Sequence, residues 1–330
     1  MRPSAVKSSL KHLVERQRPA FIWGPPGAGK SDVVASVAED MGVELRDVRL
    51  NLMDPVDLKG FPVVKGTGKN QQMAFVPPDF LPTKGKGILF LDEMNSAPQS
   101  VQAAAYGLIL NRRLGDYVLP DGWAILAAGN RSGDRGVVNT MPSPLANRLV
   151  HIDFEVDVDD WFEWATVAGV SDITRAFIKF RPGLLHSFNP ATNERAFPTP
   201  RSWHFVDDVT QSNLTPDIEF ELIKGTVGEG AAAEYLAFAR TAKDLPSVEE
   251  ILLNPDTAPI PSEPAGKYAV CTMLDRKTTP NSIGRMLQYI ERMTPEFQVL
   301  YVKSAVTANR ALTKTKEFIS WTVQHQDILV

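Results

Sequence analysis

The residues with chemical potential in this chain of 330 gather in a few short runs. The first is Gly24-Pro25-Pro26-Gly27-Ala28-Gly29-Lys30-Ser31. Gly24 and Gly29, with Lys30 and Ser31 directly after, fit the spacing G-x-x-x-x-G-K-S/T. A loop of that kind cradles phosphates. Its backbone N–H groups wrap the anion, its lysine reaches the outer phosphates, and its hydroxyl goes to Mg²⁺. A glycine-proline turn that binds nothing would also have this composition, but it would not need these flanks. Ala20 to Trp23 reads as a short buried strand, and Asp32 onward reads as a helix with Val33, Val34, Val37 and Ala38 along one stripe. Strand, glycine loop and helix N-terminus together make an anion site. The nucleotide contacts expected are therefore Gly24, Pro25, Pro26, Gly27, Ala28, Gly29, Lys30, Ser31 and, at the opening of the helix, Asp32.

A second run, "GILFLDE" at 87–93, is a continuous apolar strand ending in two acids. The ends of neighbouring parallel strands meet at one edge, where ligands bind. Asp92 there would hold Mg²⁺ and Glu93 would polarise an attacking water, a task that favours hydrolysis over passive binding. Asn130 closes a further apolar strand, "WAILAAGN", where an amide can position the same water or touch the terminal phosphate. Arg148, on a short helix in "SPLANRLVHIDF", can reach a neighbouring subunit's nucleotide in a ring and stabilise charge on the transferring phosphoryl group, or else is a solvated helix arginine. Arg131 and Arg135, in a glycine-rich loop, compete for that role. Arg201 follows Pro200 at a helix start, where a cation opposes the helix dipole and needs compensation from a phosphate or a carboxylate.

Other residues carry no such pattern. The 5 histidines are scattered without metal-ligand spacing, and the lone Cys271 reads as a packed thiol. "DVDDWFEW" reads as a helix with one solvated and one buried face, and "GTVGEGAAAEY" has no strand before it and so is no second phosphate loop.

The elements that must position these groups alternate. A helix over Ser4–Gln17 precedes the first strand, and 43–52 gives another strand. The segment 53–82 is dense in Gly and Pro, and "KGTGKN" between two apolar runs marks an inserted hairpin. A helix follows Pro98, a small hairpin turns at Gly115-Asp116, and 144–154 reads as a short helix and a last strand. Strands alternating with helices after a phosphate loop argue for a parallel α/β sheet over 1–155. Beyond it strand signals fade: a helical domain is expected over 156–240 and a helical extension over 241–330, with Pro-rich 252–267 as a linker or extended loop. The composition, 43% apolar and 22% charged with net charge −4, is that of an ordinary globular protein and calls for no polyanion partner. The N-terminal stretch is too polar for a secretory signal and no apolar run approaches a membrane span, so a cytoplasmic protein without membrane insertion is expected.

Taken in order, "GPPGAGKS", "LFLDE", "AAGN", "PLANR" and "PTPRSW" resemble an AAA+ ATPase core followed by its helical lid, over residues 1–240. The "DPVDLKGFP" insert and the "NRRLGDYVLPDGWAILAAGN" hairpin resemble the MoxR-like branch. The resemblance implies a three-layer parallel-sheet core with hairpin inserts, an all-α lid and a C-terminal helical extension. It implies Walker A at Gly24–Ser31, Walker B at Asp92 and Glu93, sensor one at Asn130, an arginine finger at Arg148 and sensor two at Arg201. Asn51 falls where such proteins can place a polar switch for the catalytic glutamate. ATP and Mg²⁺ are then the implied cofactors. The implied assembly is a homo-oligomeric, hexameric ring that remodels a protein client, often beside a partner with a von Willebrand factor A domain. The inserts would flank its pore, with Phe61 and Tyr117 as apolar tips unless they pack within their hairpins. A nucleic-acid-dependent motor on the same core is the alternative, disfavoured by the absence of a basic stripe.

Overall fold

The computed structural model describes every residue except 132, 135–138, 193, 213 and 326–330, and omits the side chains of Lys69 and Lys243. The chain forms two compact units, Met1–Asp157 and Val158–Val330.

The first unit runs α1 (Pro3–Glu15), β1 (Ala20–Trp23), α2 (Lys30–Met41), β2 (Glu44–Arg49), α3 (Pro55–Lys59), β3 (Phe61–Lys65), β4 (Gln72–Val76), β5 (Gly87–Asp92), α4 (Gln99–Asn111), β6 (Arg113–Leu114), β7 (Tyr117–Val118), β8 (Trp123–Gly129), α5 (Ser143–Ala146) and β9 (Val150–Asp153). Five strands form a parallel sheet in the order β2-β5-β8-β1-β9. The strands β5 and β8 are buried along their whole length because helices cover both faces. Alternation along β5 shows how. Ile88 and Phe90 join Val6 and Leu10 of α1 and Val34 and Val37 of α2 on one face. Leu89 and Leu91 join Val101, Ala105 and Leu108 of α4 on the other. Each such Val, Leu, Ile or Phe side chain, fully buried, contributes about 1.5–3 kcal/mol. The result is the three-layer α/β core expected from the sequence.

Both expected inserts are present as antiparallel pairs, β3 with β4 and β6 with β7. The short helix α3 was not anticipated. Asp54 and Asp57 close a capping box around its first turn, with Pro55 at the first helical position. On the α1 side of the sheet, Lys11 and Lys7 reach Asp40 at the end of α2, 2.5 and 2.9 Å away. Lys11 first, then Lys7, holds the Asp40 carboxyl down at about 2.

The second unit is helical among the described residues: α6 (Val158–Ala168), α7 (Asp172–Phe180), α8 (Pro200–Thr210), α9 (Pro216–Val227), α10 (Glu229–Lys243), α11 (Val248–Leu253), α12 (Pro264–Lys277), α13 (Ile283–Ile290), α14 (Pro295–Ala308) and α15 (Lys316–Gln324). Gly228, at φ 86°, breaks what would otherwise be one long helix into α9 and α10. The Pro-rich segment 252–267 is not a loose linker. Its ends belong to α11 and α12, and the middle is tied down. Tyr289 Oη donates to Pro259 O at 2.8 Å, and Arg292 Nη1 donates to Pro255 O and Ala258 O at 2.8 and 2.9 Å.

At the centre of this unit Arg175 of α7 and Asp275 of α12 are both fully buried and joined twice, at 3.0 and 3.1 Å. Arg175 also donates to Asp172 at 2.8 Å and to Thr166 at 3.0 Å. Burial pushes the Asp275 carboxyl above the usual range, outweighing the pull of Arg175. Cys271, one turn before Asp275, is buried, and burial likewise pushes its thiol up. It packs, as the sequence suggested.

Candidate functional site: a phosphate loop facing a carboxylate pair

The site forms where β1, β5 and β8 end together. Trp23 lies opposite Gly129, and Leu91 lies opposite Ala127, so the loop after β1, the acids after β5 and the residue after β8 leave one sheet edge. The loop takes its shape from its glycines. Gly27 and Gly29 sit at φ 70° and 98°, the left-handed region open to glycine. Gly24 is closely packed, and a Cβ there would lie 3.1 Å from Phe154 Cβ. Gly29 then caps α2, whose free N–H groups face the loop.

Lys30 is the first residue of α2 and is buried. Its ammonium donates to Gly24 O at 2.8 Å, Pro25 O at 3.0 Å and Asn130 Oδ1 at 3.3 Å. The charge is thus held inside the loop by carbonyls and an amide. Ser31 Oγ donates to Asp92 Oδ2 at 2.8 Å, joining loop to strand end. Asp32, in the first turn of α2, is exposed.

Glu93 has a left-handed backbone at φ 53°, a conformation that costs a non-glycine residue about 1–3 kcal/mol. Its N–H donates to Asp92 Oδ1 at 2.9 Å, and its carbonyl accepts from Ser96 N at 3.1 Å. The turn swings its side chain off the strand line, and Glu93 Oε2 accepts from Asn130 Nδ2 at 3.2 Å. Asn130 therefore bridges Lys30 and Glu93 with the two ends of one amide. On β2, the Asp47 carboxyl is raised by burial first and then by the negative charge of Asp92.

The oxygen donors of Ser31 and Asp92, already 2.8 Å apart, suit Mg²⁺, which takes one or two protein ligands and completes its shell with phosphates and water. Among the described residues no group of three or more His, Cys, Asp or Glu forms a metal cage. A phosphate-loop site needs none.

The arginines divide. Arg131 is turned back on its own sheet, with Nη2 donating to Phe154 O at 2.8 Å and Nε 3.8 Å from Asp153. Arg135 lies outside the described residues. Arg148, just past α5, is exposed, with one long contact to Leu110 O at 3.5 Å. Arg201 is exposed in the first turn of α8, which Thr199 and Ser202 cap reciprocally at 3.0 and 2.7 Å. Asn51 is exposed in the turn after β2. Of the two suspected apolar tips, Phe61 is 71% exposed, whereas Tyr117 is half-buried against the core and donates to Pro82 O at 2.6 Å. Tyr117 is a packing residue.

Sequence reasoning passed over Asn95, which is buried two residues beyond Glu93. Its Nδ2 donates to Asn130 O at 2.7 Å, and its Oδ1 accepts from Asn130 N at 3.2 Å. The available signal was an asparagine between two apolar residues, Met94 and Ala97, directly after the acidic pair.

This parallel sheet, phosphate loop and carboxylate pair give the first unit the α/β fold of an AAA+ core. Residues 19–149 match the family described as the AAA domain of the dynein-related subfamily. The chain is 25% identical over 207 residues to midasin from Giardia intestinalis, a stretch that covers 59% of this chain and 4% of midasin. Among solved structures, a RuvB mutant from Thermotoga maritima aligns at 16% identity with a TM-score of 0.40, over 97% of this chain and 87% of that one. NtrX from Brucella abortus in complex with ADP aligns at 14% identity with a TM-score of 0.42, over 99% of this chain and 68% of that one. No helix among the described residues is long and apolar enough to cross a membrane.

Proposed function

We propose that the first unit binds Mg·ATP in the loop Gly24–Ser31 and hydrolyses it, and that the chain works as a MoxR-like remodeller of a protein client in a homo-oligomeric, hexameric ring. The observation that carries the ATPase reading is the joining of Lys30, Ser31, Asp92, Glu93 and Asn130 at one sheet edge through the contacts Ser31–Asp92, Lys30–Asn130 and Asn130–Glu93.

The reaction is ATP plus water to ADP and phosphate. Lys30 leaves its loop carbonyls for the outer phosphate oxygens. Ser31 and Asp92 would hold the magnesium ion, which when bound neutralises charge on the β- and γ-phosphates. Glu93 accepts the proton of the attacking water as its oxygen bonds the γ-phosphorus and the bond to the bridging oxygen breaks. Asn130 keeps Glu93 and Lys30 in register. Arg148 is the finger offered to a neighbouring subunit, because it is exposed while Arg131 is bound to Phe154 and Asp153. By the resemblance alone, Arg201 would be the lid cation that reads the terminal phosphate. Residues 156–240 form that lid, and 241–330 form an extension fastened to it by the Arg175–Asp275 pair.

The remodelling reading draws on the first insert. Phe61, Val64 and Met73 on β3 and β4 are 71%, 69% and 68% exposed. A rim of that character suits a protein surface better than a phosphate backbone. A von Willebrand factor A partner is proposed on the MoxR resemblance alone. The test is the ATPase rate of the protein alone, with single- and double-stranded DNA, and with unfolded protein. Stimulation by protein is expected. Stimulation by DNA alone would replace the remodeller by a nucleic-acid motor, and no hydrolysis under any condition would remove the enzyme reading.

A further inference from the structure

Three residues past the end of β5 the chain makes a contact that the hydrolysis reading does not use. Asn95 lies in the short turn Met94–Ser96 and is 2% exposed. Its amide grips the backbone of Asn130 from both sides: Nδ2 donates to Asn130 O at 2.7 Å, and Oδ1 accepts from Asn130 N at 3.2 Å. Both polar atoms of the Asn95 amide are therefore spent on one residue, the way a neighbouring strand would spend its peptide. The grip extends β8 by one residue, past Gly129, where the sheet pairing ends. Gly129 is part of the fit, because a Cβ there would collide with Asn95 Oδ1.

The backbone of the same residue makes a second anchor. Asn95 O accepts from Asn139 N at 2.8 Å and from Gln102 Nε2 at 3.3 Å. Gln102 Nε2 and Asn139 Nδ2 both donate to Ala97 O, at 2.8 and 3.1 Å, and Tyr106 Oη fixes the far side of Gln102 at 2.5 Å. Asn95 is thus held by α4 and in turn holds the chain at Asn130 and again at Asn139. No apolar residue of similar size could do this, since the part-buried Asn130 N–H and C=O would both lose their partner.

We infer that Asn95 is a positioning residue for ATP hydrolysis: it locks the backbone of Asn130 so that the Asn130 amide spans Lys30 Nζ and Glu93 Oε2. The inference rests on the proposed ATPase reading. Glu93 and Asn95 lie on the same turn, so the residue that accepts the water's proton and the clamp that aims its partner move as one body. Loosening the clamp lets the Asn130 side chain drift from both partners without touching the phosphate loop. Misplacement of about 1 Å in such a site costs on the order of 100-fold in rate.

The test compares Asn95→Ala, Asn130→Ala and the double variant by kcat and by the dissociation constant for ATP with magnesium. Asn95→Ala is expected to lower kcat by ~100-fold and to leave ATP affinity within about threefold. Asn130→Ala is expected to do the same. The double variant should be no slower than the slower single variant, because a residue acting only through another adds nothing once that other is gone. A merely structural role would give losses that multiply, or a fall in affinity equal to the fall in rate, and either result overturns the inference. If Asn95→Ala does not melt cooperatively, Asn95→Asp takes its place. It keeps an acceptor for Asn130 N but turns a second oxygen on Asn130 O, and it should show the same loss of kcat at unchanged affinity. Unaltered kcat in Asn95→Asp overturns the inference. If Asn130→Ala itself turns over normally while Asn95→Ala does not, Asn130 is not the residue through which Asn95 acts. If wild-type protein hydrolyses no ATP, the underlying ATPase reading falls first.

Discussion

Replacing Glu93 by glutamine separates binding from chemistry more sharply than any other change in this site. Glutamine has the same length and shape, and its carbonyl oxygen can still accept from Asn130 Nδ2, which lies 3.2 Å from Glu93 Oε2. The left-handed turn at Glu93 is held by backbone contacts to Asp92 and Ser96, which the substitution leaves in place. Fold stability should therefore change by no more than about 0.5 kcal/mol. What disappears is the carboxylate that takes a proton from water. A positioned general base contributes roughly 10²–10⁴ in rate, which at about 1.36 kcal/mol per decade is about 2.7–5.5 kcal/mol of barrier. Removing a negative charge beside the triphosphate also relieves repulsion, so ATP affinity should hold or rise. The assay is single-turnover phosphate release beside an equilibrium titration with ATP and magnesium. A rate within about threefold of wild type, far below the range for a general base, would refute the assignment of Glu93. An equal loss of rate and affinity would show that the side chain holds nucleotide rather than water.

Arg148→Ala should lower turnover by on the order of 10³-fold while sparing ATP binding, and mixing it with Lys30→Ala protein should restore part of the rate through composite sites; no recovery would mean that Arg148 serves its own subunit. Asp275→Ala strands the fully buried Arg175 guanidinium with Asp172, whose side chain is 29% exposed, as its remaining acid, and should cost about 3–5 kcal/mol in urea unfolding; a loss under about 1 kcal/mol, the worth of an exposed ion pair, would show that α7 and α12 do not depend on the pair. The Asp40 carboxyl, held at about 2 by Lys11 and then Lys7 against an ordinary value of 3.8, contributes stability that is present above the ordinary value and lost as pH falls through the folded one. Asp40→Asn should therefore melt below wild type at pH 5, with the gap closing toward pH 2, and a gap independent of pH would contradict the pairing.

Strands buried on both faces were the most legible part of the chain. "ILFL" and "WAILAA" are short apolar runs of the length a covered parallel sheet hides, and they end on the residues that form the site. The two hairpins announced themselves through Gly-rich turns between apolar runs. The phosphate loop was legible because its spacing and both flanks agree. Other features depended on partners far along the chain. Asn95 is one asparagine among many until β8 arrives beside it, 35 residues on. For Tyr117 the choice between apolar tip and packed side chain stayed open because Pro82, its hydrogen-bond partner, belongs to another loop. The segment 252–267 looked loose because Tyr289 and Arg292, which hold its carbonyls, lie beyond it in sequence. Helices α9 and α10 were obscured by Gly228 at their junction.

The most direct test of the whole account is a calorimetric titration of the intact protein with a non-hydrolysable ATP analogue and magnesium, run beside Lys30→Ala. Saturable heat from the wild-type protein, one nucleotide per chain, and none from the variant is the predicted result. Equal heat from both proteins, or no heat from either at any concentration, would contradict it.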